Sequence, residues 1–311
     1  MKVAAVQLDA AFANVNINLY RIRELVQKAA DEGAQLVVLP EFFNSSIGFH
    51  SDMLNVPRGG KQTRQALLEL SSLHKIIIGG SFIDFDGKDA YNLFALYFPN
   101  GTVYFHRKDI PTQFENCYFT YGDDQNILET PIGNIGIALC WEMLRYDTVR
   151  RFYGKVDLVL SGACWWDLPE DAPSDREPLR RYNHELAFKT PQKFATLLGV
   201  PVVHASHCGI TKSYEFPEGK RLQTRKFIGA TQVIDGNGQP ISLRSFSEGA
   251  GVVCADLSLA KGTASFHPSN KSFWIPKLPD AYLSAWDRQN PIGQTYYQNI
   301  AKPYYQTSFM P

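Results

Sequence analysis

The 311-residue chain carries no net charge, since 31 lysines and arginines are matched by 31 aspartates and glutamates. Without an overall field it has nothing to draw it to nucleic acid or to an anionic membrane surface, and a small neutral or mixed-charge molecule is the better-fitting partner. The arginine pairs Arg150-Arg151 and Arg180-Arg181 read as solvated helix faces and not as a phosphate-binding stripe. Cysteine is scarce too. The five residues Cys117, Cys140, Cys164, Cys208 and Cys254 form an odd set without CxxC spacing. That argues against a disulfide framework and a structural zinc site, and suits a reducing, cytoplasmic setting. No apolar run approaches the roughly 20 residues of a membrane span. The opening MKVAAVQLDAAFANVN has one lysine and an apolar stretch broken by Gln7 and Asp9, so it reads as a first strand and not as a signal peptide. Internal repeats and interdomain linkers are absent.

What is present is a succession of strand-like apolar runs: VAAVQL, QLVVLPEFF, KIIIGGSFI, NLFALYFPNGTVYFH, GNIGIALC, VDLVLSGACW, VPVVHAS, FIGATQVID and GVVCADL. Several alternate with helices. NLYRIRELVQKAADEG places Leu19, Ile22, Val26 and Ala29 on one helical face and closes with Gly33 where a C-terminal cap is expected; RQALLELSSLHK is a second such segment. LFALYFPNGTVYFHRK and QVIDGNGQPISL carry turn signals and read as hairpins. This α/β mixture predicts two sheets packed together with helices outside. From about Ser265 the pattern becomes an aromatic, proline-containing tail without long periodic segments. Such a tail is expected to pack on the body or on a partner subunit, which divides the chain into a body, 1–264, and a tail, 265–311.

In GNIGIALC, Ile135, Ile137 and Leu139 share one strand face, while Gly136, Ala138 and Cys140 share the other. The small residues leave room beside the thiol. Because WEMLRYDTVRRFY has helical character, Cys140 falls where a strand turns into a helix, the place where α/β hydrolases present a nucleophile. Helix N–H groups there are expected to favour the thiolate. Free cysteine is also a common small core hydrophobe, so the position needs company to mean more. Glu41 ends the apolar run VVLPEFF, and Lys108 ends YFHRK. Three strands ending in Glu, Lys and Cys would converge at one rim of a sheet, where open α/β folds place their sites.

LPEFF, HRKDIP and GIALCWE, in this order, resemble the three signatures of the nitrilase, or carbon-nitrogen hydrolase, superfamily. The likeness extends through ENCYFTYGDD, DLVLSGACWW, ELAFKTPQKFATLLGVPVVHASHCG and FIGATQVIDGNGQP. It implies a four-layer α-β-β-α sandwich with two mixed sheets, and homodimers or larger homo-oligomers formed through one face. It also implies that Glu41 is the acid-base carboxylate, that Cys140 forms a thioester acyl-enzyme, and that Lys108 with the backbone N–H of Trp141 makes an oxyanion hole. A fixed ammonium there disfavours protonation of both thiolate and carboxylate. Glu115, seven residues past Lys108, matches a second glutamate that orients the lysine or the substrate. The chemistry belongs to side chains, so neither a metal nor an organic cofactor is called for.

The run after the cysteine departs from the amidase-type pattern. The arginine, Arg145, comes one place later than in those relatives and the Pro-Glu is missing, while CWE is seen in the true nitrilase branch. Ser206 stands where the family carries an asparagine. Amide or N-carbamoyl hydrolysis and nitrile hydrolysis therefore both stay open. Trp165 and Trp166 close the strand next to Cys140 and are candidate substrate-binding residues. The charged stretch 167–185 is long enough to fold over the site as a lid that selects substrate. His204, His207 and Cys208 stand close together but lack a second ligand pair at zinc spacing, and a Cys-His pairing is unnecessary with Glu41 as base. A fold relative without turnover has no reason to keep Glu41, Lys108 and Cys140 together. A fused synthetase lacks its GxxxxGK[ST] phosphate loop, and a membrane acyltransferase its spans.

Overall fold

Strand β1 (Lys2–Asp9) shows how the sequence pattern builds the layers. Val3 and Ala5 enter one apolar core, while Ala4, Val6 and Leu8 enter another. A strand apolar on both faces must be covered on both. The structure is a computed structural model and describes residues 1–214 and 219–309. In its first half, β1 pairs in parallel with β2 (Leu36–Val38), and β2 with β3 (Ile77–Phe85). The antiparallel strands β4 (Ala90–Tyr97) and β5 (Val103–Arg107) come next. Helices α1 (Val15–Asp31) and α2 (Gly60–His74) cover the outer face. Asn14 caps α1 by accepting the Ile17 N–H at 3.2 Å, which satisfies one of the donors a helix start leaves over. Leu19, Ile22, Val26 and Ala29 are all buried on that helix, and Gly33 closes it with a left-handed φ of +84°.

The second half repeats the plan. Strands β6 (Ile127–Thr130) and β7 (Gly133–Ile137) form a hairpin, and β8 (Leu158–Ala163) and β9 (Val202–Cys208) continue in parallel. Helices α3 (Tyr146–Phe152) and α4 (Glu177–Leu198) cover it through Val149, Phe152, Phe194 and Leu198. Between the halves, Val3, Leu36 and Val38 meet Ile135, Ile137, Leu160 and Val203. The order is therefore helix, sheet, sheet, helix. Strands β10 (Ile210–Tyr214) and β11 (Leu222–Lys226) make a separate ribbon; β12 (Gly229–Ile234) and β13 (Pro240–Ser245) form a hairpin on β9; β14 (Gly251–Asp256) pairs with β1.

Two details differ from the sequence expectations. The two sheets are joined at one edge, because β1 outlasts its pairing with β2, which ends at Ala5, and its last residues, Gln7–Asp9, bond to Ser206–Cys208 of β9. The result among the described residues is one hydrogen-bonded sheet of 12 strands. The tail, expected to lack periodic segments, carries helix α5 (Asp280–Tyr296), a π-helical turn Tyr297–Ala301 and helix α6 (Lys302–Ser308). Its buried stripe of Tyr297, Ala301 and Tyr305 has i, i+4 spacing and packs with Phe42, Phe49 and Tyr118 of the body. Pro291 and Pro303, which read as breakers, hid it; Pro303 is the second residue of α6, directly after the π-helical turn. Residues 310–311 of the tail lie outside the described residues. No helix among the described residues is long and apolar enough to cross a membrane.

Candidate active site

Glu41 lies just past β2, Lys108 just past β5 and Cys140 just past β7, and the packing of the two sheets brings these three strand ends to one rim. Lys108 Nζ donates to Glu41 Oε1 at 2.8 Å and to Glu115 Oε2 at 2.7 Å. All three side chains and Cys140 are buried. The Asn92 amide donates to Glu41 Oε1 at 2.9 Å, the Cys164 N–H reaches Glu41 Oε2 at 3.2 Å, and the Thr112 N–H supports Glu115 Oε2 at 2.9 Å. Two carboxylates thus share one ammonium beside a thiol. Backbone strain gathers at the same place: Phe42, Gln113 and Cys140 hold φ of +53°, +56° and +49°, a region that costs a side-chain-bearing residue energy and that persists only where surrounding contacts enforce it.

The cluster's electrostatics arise from burial and proximity. Burial pushes the Cys140 thiol well up, the charges of Glu41 and Glu115 push the same way, and Lys108 opposes them. The expected thiolate-favouring helix end is therefore corrected. Cys140 opens only a 3-10 turn, Cys140–Leu144, broken by extended Arg145 before α3 begins, and two carboxylates outweigh one ammonium. Cys140 therefore rests as the thiol. Burial works against the Lys108 charge, but Glu115 and Glu41 outweigh it and hold the ammonium well above its ordinary value. Glu115 is pushed up to about 7 by burial and by Glu41, against the pull of Lys108.

Glu115 and Cys140 of the cluster line a cavity of about 260 Å³. Trp165 and Trp166 both line it, as do Cys140 and Trp141. Trp165 Nε1 donates to Asn183 Oδ1 at 2.9 Å, and Trp166 stacks on Phe114 at 4.5 Å. From the stretch 167–185, Asp167, Leu168 and Asn183 reach the cavity; Arg180 and His184 pair with Asp167. The histidines considered for a metal are engaged elsewhere. His204 Nδ1 lies 3.1 Å from Ser161 Oγ, and His207 Nε2 lies 2.6 Å from the Glu41 carbonyl oxygen. Burial lowers His207 to about 4, so a neutral ring donates there and fixes the Glu41 backbone.

Several supports are not apparent from the sequence reading. Asn92 had a signal, an amide inside the apolar run NLFALYF. Glu142 had one too, a carboxylate two places after Cys140. It accepts the N–H groups of Leu139 and Asp109 at 2.8 and 2.9 Å. Asp109 is in turn paired with Arg145 and Arg151, so the displaced arginine is a structural residue behind the site. Ala281, Tyr282 and Ala285 of α5 also line the cavity, and nothing in the tail's composition points there.

The sequence profile of the carbon-nitrogen hydrolase family matches residues 2–265. The chain belongs to the carbon-nitrogen hydrolase family. Among relatives in sequence, omega-amidase NIT2 of Xenopus tropicalis is 32% identical over 151 residues, covering 44% of this chain and 54% of that protein. Nitrilase 3 of Arabidopsis thaliana is 28% identical over 167 residues, 46% of this chain and 47% of that one. The chain spans about half the length of the curated relatives it matches. Among solved structures, a carbon-nitrogen hydrolase of Helicobacter pylori G27 superposes with a TM-score of 0.69 at 16% identity, covering 83% of this chain and 89% of that one. A mutant amidase of Nesterenkonia sp. AN1, carrying acrylamide added at its active-site cysteine, gives 0.66 at 20% identity and 83% and 93% coverage. These likenesses establish the carbon-nitrogen hydrolase fold, the α-β-β-α sandwich.

Proposed function

We propose that the protein hydrolyses the C–N bond of a small carboxamide or N-carbamoyl compound through a Cys140 thioester. The observation that carries the reading is the buried contact of Lys108 with both Glu41 and Glu115, the second of which lines the cavity together with Cys140. The Cys140 sulfur attacks the carbonyl carbon as its proton passes to Glu41. Charge developing on the carbonyl oxygen is met by Lys108 and the Trp141 N–H, donors fixed in advance in a water-poor site. As the C–N bond breaks, Glu41 returns the proton to the leaving amine, and the acyl group stays on sulfur. Water then attacks the thioester with Glu41 as base, releasing the acid and restoring the thiol. Glu115 holds Lys108 in place throughout. The omega-amidase relatives and the Nesterenkonia amidase support the amide reading, and the Michael adduct of acrylamide in the latter supports a cysteine as the nucleophile.

Nitrile hydrolysis is the second reading, favoured by the Cys140-Trp141-Glu142 run and the match to nitrilase 3. A panel of amides, N-carbamoyl amines and nitriles scored for ammonia release, with Cys140→Ala as the blank, decides between them. Amide or carbamoyl turnover is the expected result; a nitrile consumed while its amide is not reverses the order. Mass spectrometry of the wild-type protein quenched during turnover should trap an acyl adduct on Cys140 that Cys140→Ala lacks, and turnover without any such adduct overturns the covalent route.

A further inference from the structure

Helix α5 lies beyond the family match, which ends at residue 265, yet it stands against the catalytic residues. Ala281 and Ala285, one helical turn apart on the same face, border the cavity with Tyr282 beside them. Two methyl groups leave a recess there, and a phenol bounds it. The helix is fastened at three places. Trp286 stacks on Trp141, whose N–H is the proposed oxyanion donor, with rings 5.5 Å apart and 2° from parallel. Asn290 Oδ1 accepts the Gln113 N–H at 2.7 Å and the Asn116 amide at 3.2 Å, on the turn that carries Glu115. Gly293 lets the backbones close up, since a Cβ there would come within 2.6 Å of Asn116 Cβ. A wall fixed on both sides cannot recede from a large substrate, and a rigid wall discriminates by size, where one methylene changes rates by roughly 10–200-fold.

We propose that α5 is the specificity wall of this active site and that Ala281, Tyr282 and Ala285 set the size of the group accepted next to the scissile bond. The proposal rests on the hydrolase reading above and adds the elements that select its substrate. Bulk added at Ala285 closes the recess against long substrates first, whereas removing the Tyr282 ring opens it.

The test uses the full chain, with Asp287→Ala, an exposed change on the solvent side of α5, as the control. Unbranched primary amides from acetamide to hexanamide are compared by kcat/KM. Ala285→Leu should lower the hexanamide-to-acetamide ratio at least tenfold, Tyr282→Ala should raise it, and Asp287→Ala should leave it within twofold. In parallel, Cys140 is alkylated with iodoacetamide and with its N-hexyl derivative and the adduct is monitored by mass spectrometry. Ala285→Leu should depress the N-hexyl-to-parent labelling ratio by a similar factor. Folding is checked by circular dichroism. If the wild type releases ammonia from no amide, the hydrolase reading fails while the labelling ratio still decides the wall. Folded Ala285→Leu and Tyr282→Ala proteins with wild-type ratios overturn the proposal.

Discussion

Glu142 Oε1 accepts the backbone N–H of Asp109 at 2.9 Å, and through this bond the residue two places after Cys140 holds the residue next to Lys108. Its other oxygen takes the Leu139 N–H at 2.8 Å, just ahead of Cys140. One buried carboxylate thereby sets the spacing between cation and sulfur. His106, which bridges Asp124 at 2.6 Å and Glu142 at 3.2 Å, completes its environment. Glu142→Ala leaves a buried imidazole and two amides without that partner and should cost about 3–5 kcal/mol of stability. Glu142→Gln keeps the volume but can accept through one oxygen only. It should lower kcat by roughly 10-fold or more while KM changes little, because the loss is one of alignment. Equal effects on kcat and KM, or no effect, would refute the spacing role.

Lys108 is the sole cation in direct contact with Glu41 and Glu115 among the described ion pairs. Lys108→Met should abolish turnover and also destabilise the fold by about 3–5 kcal/mol, since two buried carboxylates then face each other unpaired. Adding Glu115→Gln removes one of those charges. The double variant should recover part of the urea midpoint while remaining inactive. A double variant no more stable than Lys108→Met would show that charge is not what the single change exposes.

Folding stability should fall on the alkaline side. Burial disfavours the His106 charge, yet Glu142 and Asp124 outweigh it and raise the imidazole from 6.5 to about 10. Between those values the folded state holds a proton that the unfolded chain has released. This contribution is fully present below about pH 6.5 and is lost as pH rises toward 10, at up to about 1.4 kcal/mol per pH unit for one proton. His204 and His207, lowered by burial to about 3 and about 4, act in the opposite sense and withdraw stability as pH falls below 6.5. Urea unfolding between pH 6.5 and 9.5 should show a slope that His106→Asn flattens; identical slopes would count against it.

How much of this the sequence discloses depends on what kind of contact made each feature. Cys140, Glu41 and Lys108 are legible because each ends an apolar strand, a local pattern that one segment carries alone. The layered fold is legible for the same reason, as in the alternation of Val3, Ala4, Ala5 and Val6 between two cores. Asn92 and His207 stand out in the sequence but their roles do not, because those lie in partners 51 and 166 residues away. The raised thiol is hidden because it depends on how many charges surround the sulfur once packed, and a sequence does not count neighbours. Helix α5 is masked by Pro291, and its place on the cavity by the 140-odd residues between Cys140 and Ala281.

Gly162, inside the run LSGACW on β8, carries a requirement that can be tested without touching a catalytic atom. A Cβ built there would lie 2.5 Å from the Glu41 backbone nitrogen and 2.9 Å from the Pro40 carbonyl carbon. Both are main-chain atoms, so no side chain can swing aside, and the Glu41 carbonyl is already held by His207 at 2.6 Å. Gly162→Ala must therefore push Glu41 off its contacts with Lys108 and Asn92. A displacement of that kind should cost about 1–3 kcal/mol of stability as overpacking, and a misplacement near 1 Å at the base lowers kcat by about 100-fold. The thiol itself stays in place, so Cys140 should still be alkylated by iodoacetamide in the folded variant while ammonia release is lost. A Gly162→Ala protein with wild-type kcat would mean that Glu41 tolerates movement, and the role of base would then pass to another group.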